Sequence, residues 1–314
     1  MSTEGGMRAV VAALLANLGI AISKFIAFAF TGSSSMLSEA IHSVADSGNQ
    51  VLLLIGSKRS KKPADAKHPF GYGRRRYVYA FVVSIVLFLV GGLFSLYEGL
   101  HKFQHPEELS DAWIAFLVLG IAIVLESLSF RTAMKEANHA RGKRSLVAFI
   151  RDVRQPELPV ILLEDLGALC GLVFALFGVT LAVVTGDGRW DGIGAMAVGT
   201  LLVVIAVFLA FEMAAMLVGE GALPEEDARI RAALEASPLV ERVIHLRTLH
   251  VGPDELLVGA KIAIRHAESA AGIAAGIDDA ERRLREAVPT ATYVYLEPDL
   301  DRGGVPAEAD QPPG

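Results

Sequence analysis

The chain contains a single cysteine, Cys170, among its 314 residues. An internal disulfide and a cysteine-based zinc finger are therefore excluded, and the apolar surroundings of Cys170 indicate a small packing residue. The sequence also lacks a Gly-x-x-x-x-Gly-Lys-Ser/Thr loop and a His-Glu-x-x-His motif, which argues against an ATP-driven pump and a zincin-type metalloenzyme. No cleavable signal peptide is expected, because the apolar segment that starts at Met7 is too long and contains Lys24.

Apolar residues are abundant: they make up 53% of the chain, and the mean hydropathy is +0.45. This is too apolar for an ordinary soluble domain and predicts several membrane spans with a soluble portion. A spanning helix needs about 20 mainly apolar residues. Six segments meet this need, at 9–31, 36–56, 78–99, 112–132, 158–184 and 191–218. The net charge of −6 indicates no particular partner beyond the lipid bilayer, and no nucleic-acid partner is expected.

Basic residues are distributed unevenly among the loops between these spans, and this bias predicts the orientation. The first loop has none, the third has Lys102 and the fifth has Arg189. The second loop, 57–77, contains Lys58, Arg59, Lys61, Lys62, Lys67, Arg74, Arg75 and Arg76. The fourth, 133–157, contains Lys135, Arg141, Lys143, Arg144, Arg151 and Arg154. The second and fourth loops, and with them both termini, are therefore predicted to be cytoplasmic. We expect an integral protein of a bacterial inner (plasma) membrane.

The character of the sequence changes after Gly219, and we divide the chain into a transmembrane domain, 1–219, a cytoplasmic domain, 220–300, and a tail, 301–314. A proline followed by three acids predicts a helix from Pro224 to about residue 236. Two strands follow at 240–250 and 256–265, then an amphipathic helix at 268–287 and a last strand at 292–297. The predicted fold is a bundle of six transmembrane helices followed by a small α+β domain of α-β-β-α-β order. The Gly-, Pro- and acid-rich tail is expected to be disordered.

The second apolar segment contains a row of polar residues. Glu39, His42, Asp46 and Asn49 recur at steps of three and four, and so share one face of a helix. His42 and Asp46 are one turn apart, and both residue types bind divalent cations. A carboxylate near the bilayer centre costs at least about 2.5–3.5 kcal/mol, so a polar face here requires a reason. Either these groups satisfy each other between helices, or they form half of an intramembrane cation site.

The other half of such a site is predicted in the fifth segment, at Glu164 and Asp165. Asp165 can face His42 and Asp46, whereas Glu164 is rotated by about 100° and can reach the same cavity only from its flank. Alternatively, Glu164 pairs with Lys24 or with backbone donors. The depths of the two halves match only if the fifth helix begins before Pro159 or if the site lies toward the cytoplasm. Other acids have weaker claims to a role in the site. Glu126, inside the fourth segment, either lines the pathway or relays protons, or simply pairs across helices, and Asp191 is interpreted as an ordinary helix cap.

Five sequence elements together resemble the cation diffusion facilitator family, over nearly the whole chain. They are Thr31-Gly-Ser33, His42-Ser-Val-Ala-Asp46, His68-Pro-Phe-Gly-Tyr-Gly73, Asp165-Leu-Gly-Ala-Leu and Asp191. The sequence Leu163-Glu-Asp165, with Glu39 before His42, is most similar to the branch around mammalian zinc transporter nine. The resemblance implies a homodimer that exports Zn²⁺ or a similar cation from the cytoplasm in exchange for protons. It also implies a transport site made of one His-or-Asp-x-x-x-Asp pair on the second helix and another on the fifth.

This sequence departs from that pattern at one position, because the first ligand on the fifth helix would fall on Ile161. Either Glu164 substitutes for this ligand, or water completes the coordination shell. The resulting predicted metal set is His42, Asp46, Asp165 and Glu164, which suits Zn²⁺ and also accepts Mn²⁺, Fe²⁺ or Co²⁺. In the cytoplasmic domain His245 matches a metal position of the family, but the other ligands would fall on Lys261 and Tyr295. That domain therefore resembles a dimerisation module more than a metal sensor.

Two other classes of protein remain as alternatives to a secondary transporter. A membrane metalloenzyme would need a complete metal site with a general base beside it. A membrane scaffold or regulatory homologue would keep the fold but no longer transport, and the absent ligand at Ile161 is the argument for it.

Overall fold

A computed structural model describes residues 3–107, 109–142, 144–152, 154–264 and 269–300, with side chains described from residue 17 onward except at residue 140. All six predicted spans lie within helical segments. These are α1 (Thr3–Thr31), α2 (Ser34–Ser60), α3 (Arg75–Val86), a π-helical segment (Leu87–Leu93), α4 (Phe94–Gln104), α5 (Ala112–Arg141), α6 (Leu146–Asp152), α7 (Glu157–Thr185) and α8 (Arg189–Val218).

Four continuous helices of the described chain are long and apolar enough to cross a membrane: Arg75–Gln104, Ala112–His139, Glu157–Thr185 and Arg189–Val218. The described apolar part of α1, Asn17–Thr31, is shorter, and α2 carries the polar face identified above. Large apolar side chains point outward, for example Val184 at 76% exposed and Phe211 at 74%. An apolar exterior around a partly polar interior is the pattern expected of a helical bundle in lipid.

The bundle contains two helical features that the apolar pattern did not predict. The first is the π-helical segment Leu87–Leu93, which interrupts the third span. It includes Gly92, where an added Cβ would lie 2.7 Å from Val203 Cγ2 on α8, so only glycine allows this close approach. The second is the short helix α6, in the basic loop between α5 and α7.

The residues after Ala214 and the loop 60–74 form a separate compact unit. It contains α9 (Pro224–Glu235), β1 (Val240–Gly252), β2 (Glu255–Ile264), α10 (Ala270–Ala287) and β3 (Ala291–Asp299). The sheet order is β1-β2-β3, with an antiparallel β1–β2 pair and a parallel β2–β3 pair. The predicted α-β-β-α-β order is confirmed. Arg265, at the end of the predicted second strand, Glu268, at the start of the predicted second helix, and the tail from residue 301 lie outside the described residues.

The core of this second unit is formed by the two helices packed on one face of the sheet. Its fully buried members come from α9, β2 and α10: Ile230, Leu234, Leu256, Val258, Ile262, Ala280 and Leu284. The parallel pairing of β2 and β3 requires a crossover, and α10 supplies it. The hairpin between β1 and β2 closes at Gly252 and Glu255, as the turn sequence predicted.

The loop 60–74 is ordered by hydrogen bonds around Asp65. Its carboxylate accepts from Lys62 Nζ at 2.8 Å, Tyr72 Oη at 2.7 Å and the backbone N–H of His68 at 2.9 Å. The hydrogen bond from Lys62, followed by that from Tyr72, holds the pKa of Asp65 well below its usual value. Phe70 packs edge-on against Tyr293 of β3, with ring centroids 5.2 Å apart. The loop is therefore part of the C-terminal unit and not a free connection between spans.

Candidate metal centre

The polar residues of α2 lie on one buried face, as their spacing predicted. His42 is 1% exposed, and its Nε2 atom lies 3.3 Å from Asp46 Oδ2, whose side chain is 15% exposed. The two residues are one turn apart on a regular helix, so the backbone itself sets this pairing. The structure therefore brings the two predicted ligands of α2 side by side.

Four carboxylates from three helices line one small cavity of about 20 Å³ in the helical unit. They are Asp46 of α2, Glu126 of α5, and Glu164 and Asp165 of α7. The rest of the lining comprises Asn17, Ile20, Ser43, Gln50 and Ile161. The cavity is about the size of one water molecule. Helix α7 begins at Glu157, before Pro159, and this meets the condition on depth that the sequence imposed.

The four predicted metal ligands are only partly brought together. Asp46, Glu164 and Asp165 share the cavity, whereas His42 contacts Asp46 but does not line it. In the part of the chain that is described, no group of three or more His, Cys, Asp and Glu side chains is close enough to hold a metal ion. The ligand set therefore stays a prediction.

The two acids of α7 each accept a hydrogen bond from a different helix. Asn49 Nδ2 of α2 donates to Glu164 Oε1 at 2.7 Å, and Ser129 Oγ of α5 donates to Asp165 Oδ2 at 3.0 Å. Glu164 is buried, and Asp165 is partly buried. Lys24, which the sequence allowed as a partner of Glu164, pairs with Glu39 instead.

Several buried polar atoms of α2 have no hydrogen-bond partner within the described residues. They are Asp46 Oδ1, Asn49 Oδ1, Glu39 Oε1 and both ring nitrogens of His42. Buried polar atoms are normally satisfied, and leaving one unsatisfied costs about 1–3 kcal/mol. At His42 and Asp46 these atoms include the one nitrogen of a neutral imidazole that accepts and the carboxylate oxygen Asp46 Oδ1. A cation bound between these two residues would satisfy their free lone pairs.

A larger groove of about 440 Å³ shares two residues, Gln50 and Ile161, with the acidic cavity. Its wall is largely apolar, with Leu53, Leu54 and Leu158. Arg76 of α3 and Glu157 of α7 also line it and form a two-pronged ion pair, with Nε–Oε1 at 2.5 Å and Nη2–Oε2 at 2.7 Å. The groove lies next to the ends of α2 and α7 that adjoin the basic loops.

Asp191 has a role that its position in the sequence did not reveal. Instead of capping its own helix, its buried carboxylate caps α2: it accepts from Ser33 Oγ at 2.7 Å and from the Ser34 N–H at 2.6 Å. An anion is favoured at a helix N-terminus because the free N–H groups and the helix dipole point toward it. The contact joins residues that are more than 150 positions apart in sequence, so local spacing could not predict it.

In the C-terminal unit, His245 lies opposite Lys261 in the β1–β2 ladder. Lys261 Nζ is 3.1 Å from Glu297 Oε1 and 3.2 Å from Asp299 Oδ2. The hydrogen bonds from Lys261 to Glu297 and Asp299 raise the lysine pKa. A lysine ammonium therefore neutralises the acids beside His245.

The transmembrane region matches a known domain model. The cation efflux transmembrane domain aligns with residues 10–218. The proton-coupled zinc antiporter SLC30A9, mitochondrial, of Mus musculus is 31% identical over 251 residues, which is 79% of this chain and 44% of that protein. The metal tolerance protein C4 of Arabidopsis thaliana is 26% identical over 266 residues, or 83% and 58% of the two chains.

A more distant relative and one of its solved structures complete the comparison. The magnetosome protein MamM of Magnetospirillum gryphiswaldense is 27% identical over 239 residues, or 73% of this chain and 69% of that one. A nickel form of a MamM C-terminal domain variant covers 26% of this chain and all of its own, with 18% identity and a TM-score of 0.24. The chain spans less than half the length of the SLC30A9 proteins that it matches.

Proposed function

Because this chain belongs to the cation efflux family, we propose that it is a secondary transporter that exports divalent metal cations, chiefly Zn²⁺, from the cytoplasm in exchange for protons. The observation that carries the proposal is the small cavity lined by four carboxylates from α2, α5 and α7. Four acids around a space of about 20 Å³ repel each other unless a proton or a metal ion neutralises them. The same groups can therefore exchange the two.

The proposed mechanism follows from the protonation state that each ligand needs. Asp46, Glu164 and Asp165 bind a cation as carboxylates, and His42 binds as neutral imidazole, so metal binding releases protons and proton uptake releases metal. His42 Nε2 already lies 3.3 Å from Asp46 Oδ2, which places the two donors of α2 side by side. Glu126, which lines the same cavity, is available to carry a proton. An inward proton gradient then drives metal outward.

The donor types limit which metal ions the proposed site would bind. One imidazole with two or three carboxylates suits Zn²⁺ and also suits Mn²⁺, Fe²⁺ and Co²⁺. Glu164 takes the place of the ligand that Ile161 cannot supply, since both residues line the cavity. The apolar groove that shares Gln50 and Ile161 with the cavity is the route from the cytoplasm, and the positive-inside rule gives that orientation.

The cellular setting is part of the same proposal. The chain is an integral membrane protein, and we assign it to a bacterial inner membrane with both termini in the cytoplasm. The C-terminal domain joins two copies into a homodimer, and each copy carries its own transport cavity between α2, α5 and α7.

Uptake into proteoliposomes tests the proposal. Purified protein is reconstituted, a pH gradient is imposed, and uptake of Zn²⁺, Mn²⁺, Fe²⁺ and Co²⁺ is measured with a fluorescent indicator. We expect gradient-dependent Zn²⁺ uptake that collapses when a protonophore is added. A folded protein that moves none of the four ions under either direction of gradient would favour the membrane scaffold instead.

A further inference from the structure

Lys24 carries a positive charge into the interior of the helical unit, where its side chain is fully buried. Its Nζ atom lies 3.0 Å from Glu39 Oε2 and donates to Ser43 Oγ at 2.8 Å. Burying an ion pair is costly, and replacing such a pair by neutral groups is often harmless to stability. Stability alone therefore does not account for a buried lysine at this place.

The ion pair is oriented with respect to the acidic cavity. Ser43, which accepts from Lys24, lines the cavity together with Asp46, whereas Glu39 does not line it. Along α2, Ser43 is three residues from Asp46, about 4.5 Å of axial rise, and Glu39 is seven residues away, about 10.5 Å. The positive end of the pair therefore lies nearer the carboxylates than the negative end does.

Helix α7 packs against the Glu39 end of the Lys24–Glu39 ion pair. Glu39 Oε1 has no hydrogen-bond partner within the described residues, and a Cβ added at Gly171 would lie 2.5 Å from it. Because residue 171 is glycine, the α7 backbone can approach the Glu39 carboxylate this closely. A larger side chain at this position would clash with the carboxylate. Glu39 is thus held in place on one side by Lys24 and on the other by the α7 backbone.

We propose that Lys24 is the built-in counter-charge of the transport cavity, which weakens cation binding so that the exported ion can leave. This inference rests on the proposed function, because it requires a cation at Asp46 and Asp165. When the cavity is empty, the ammonium group partly neutralises the carboxylates around it. When a divalent cation binds, the same ammonium repels it through a poorly screened interior, so binding is weaker than the four acids alone would make it.

The test is a ranking of Zn²⁺ dissociation constants in four purified full-length proteins, measured by calorimetry in detergent. The expected order, from tightest to weakest, is Lys24→Met, Lys24→Met with Glu39→Gln, the wild type, and Glu39→Gln. The first variant leaves a lone negative charge, the second removes the oriented pair, and the last leaves a lone positive charge. Neighbouring proteins in the order should differ by about tenfold, as expected for a charge near a divalent ion in a partly screened interior.

A transport assay separates this role from a structural one. The double variant, which leaves no buried charge unpaired, should bind more tightly than the wild type while its maximal export rate falls, because release is slowed. Lys24→Arg should lie nearer to the wild type than Lys24→Met does. If the folded variants share one dissociation constant and differ only in thermal stability, the counter-charge role is wrong and the pair is structural.

The same series distinguishes failure of this inference from failure of the proposed function. Asp46→Ala is measured beside the four proteins. If the wild type binds Zn²⁺ and Asp46→Ala weakens that binding, the site exists, and the ranking alone decides the role of Lys24. If Asp46→Ala binds as the wild type does, the transport site itself is misplaced, and both proposals are overturned.

Discussion

Asp46 and Asp165 reach the same cavity from different helices, and each offers a charged oxygen to a cation there. We expect Asp46→Ala and Asp165→Ala each to lower Zn²⁺ transport by at least about a hundredfold, since either change removes a ligand from a site that is already one ligand short of the family pattern. Both variants should remain folded, because deleting an acid from a cluster of like charges relieves repulsion. Transport is measured in proteoliposomes and folding by gel filtration in detergent.

A matched control is available in the C-terminal domain, where Glu225 is exposed and far along the chain from the predicted ligands. Glu225→Ala should transport as the wild type does. Full transport by the Asp46→Ala, Asp165→Ala double variant would remove the proposed site from consideration.

Ile161 stands where the family resemblance expects a ligand, and it lines the cavity one turn before Asp165. Ile161→His therefore restores an i, i+4 pair of ligands on α7. We expect this variant to bind Zn²⁺ about tenfold or more tightly than the wild type, because imidazole is a strong Zn²⁺ ligand. Calorimetry measures the affinity, and Ile161→Asn serves as a control that adds polarity without imidazole. Equal affinities for His, Asn and wild type would mean that position 161 does not reach the ion.

Residue spacing predicted which groups could meet but not which of them would pair. The steps from Glu39 to Asn49 gave the polar face of α2 correctly, because helical periodicity is local. The partners of Lys24 and Glu164 could not be predicted, since they depend on how three helices pack. A lysine within an apolar run was the available signal for a buried acidic partner, and the sequence offered Glu164, whereas Lys24 pairs with Glu39.

The α2 helix is fixed at its first turn by an acid from α8. Asp191→Ala removes the acceptor for Ser33 Oγ and the Ser34 N–H, and leaves buried donors unsatisfied at a cost of about 1–3 kcal/mol. We expect the melting temperature in detergent to fall by about 5 °C, with a smaller effect for Asp191→Asn, which keeps an acceptor oxygen.

Asp187 at the same end of α8 is a suitable comparison, because its carboxylate accepts one exposed hydrogen bond from the Arg189 N–H. Asp187→Ala should change the melting temperature little. If both alanine variants melted alike, Asp191 would be an ordinary cap of its own helix, as the sequence first indicated.

Among the elements, the long helices and the order of helices and strands along the chain were predictable, because apolar periodicity and turn residues are local features of the sequence. The end of α5 at Arg141 lies beyond the predicted span, since good helix formers such as Ala133, Met134 and Lys135 continue the helix past the apolar stretch. The π-helical segment depends on Gly92 meeting Val203, which is a contact between helices. The hydrophobic periodicity of a single segment contains no information about a contact with another helix.

For the whole molecule, the uneven loop charges predict which loops face the cytoplasm. In a Cys170→Ala background, cysteine at position 107 should react with a membrane-impermeant maleimide added outside, because the Glu107 side chain is 81% exposed. Cysteine in place of the exposed Lys61 should react only after the membrane is permeabilised. The reverse labelling pattern would invert the orientation and make the protein an importer by the same mechanism.

The small volume of the acidic cavity has a consequence for magnesium. In the proposed transport site, a space of about 20 Å³ has room for about one water molecule, so we expect a bound cation to exchange most of its water for carboxylate oxygens. Mg²⁺ gives up water reluctantly and usually keeps several molecules when it is bound to proteins. We therefore expect the proposed site to select against Mg²⁺ even though it offers the carboxylates that this ion prefers, so that export of a scarce metal would leave the abundant one in the cytoplasm.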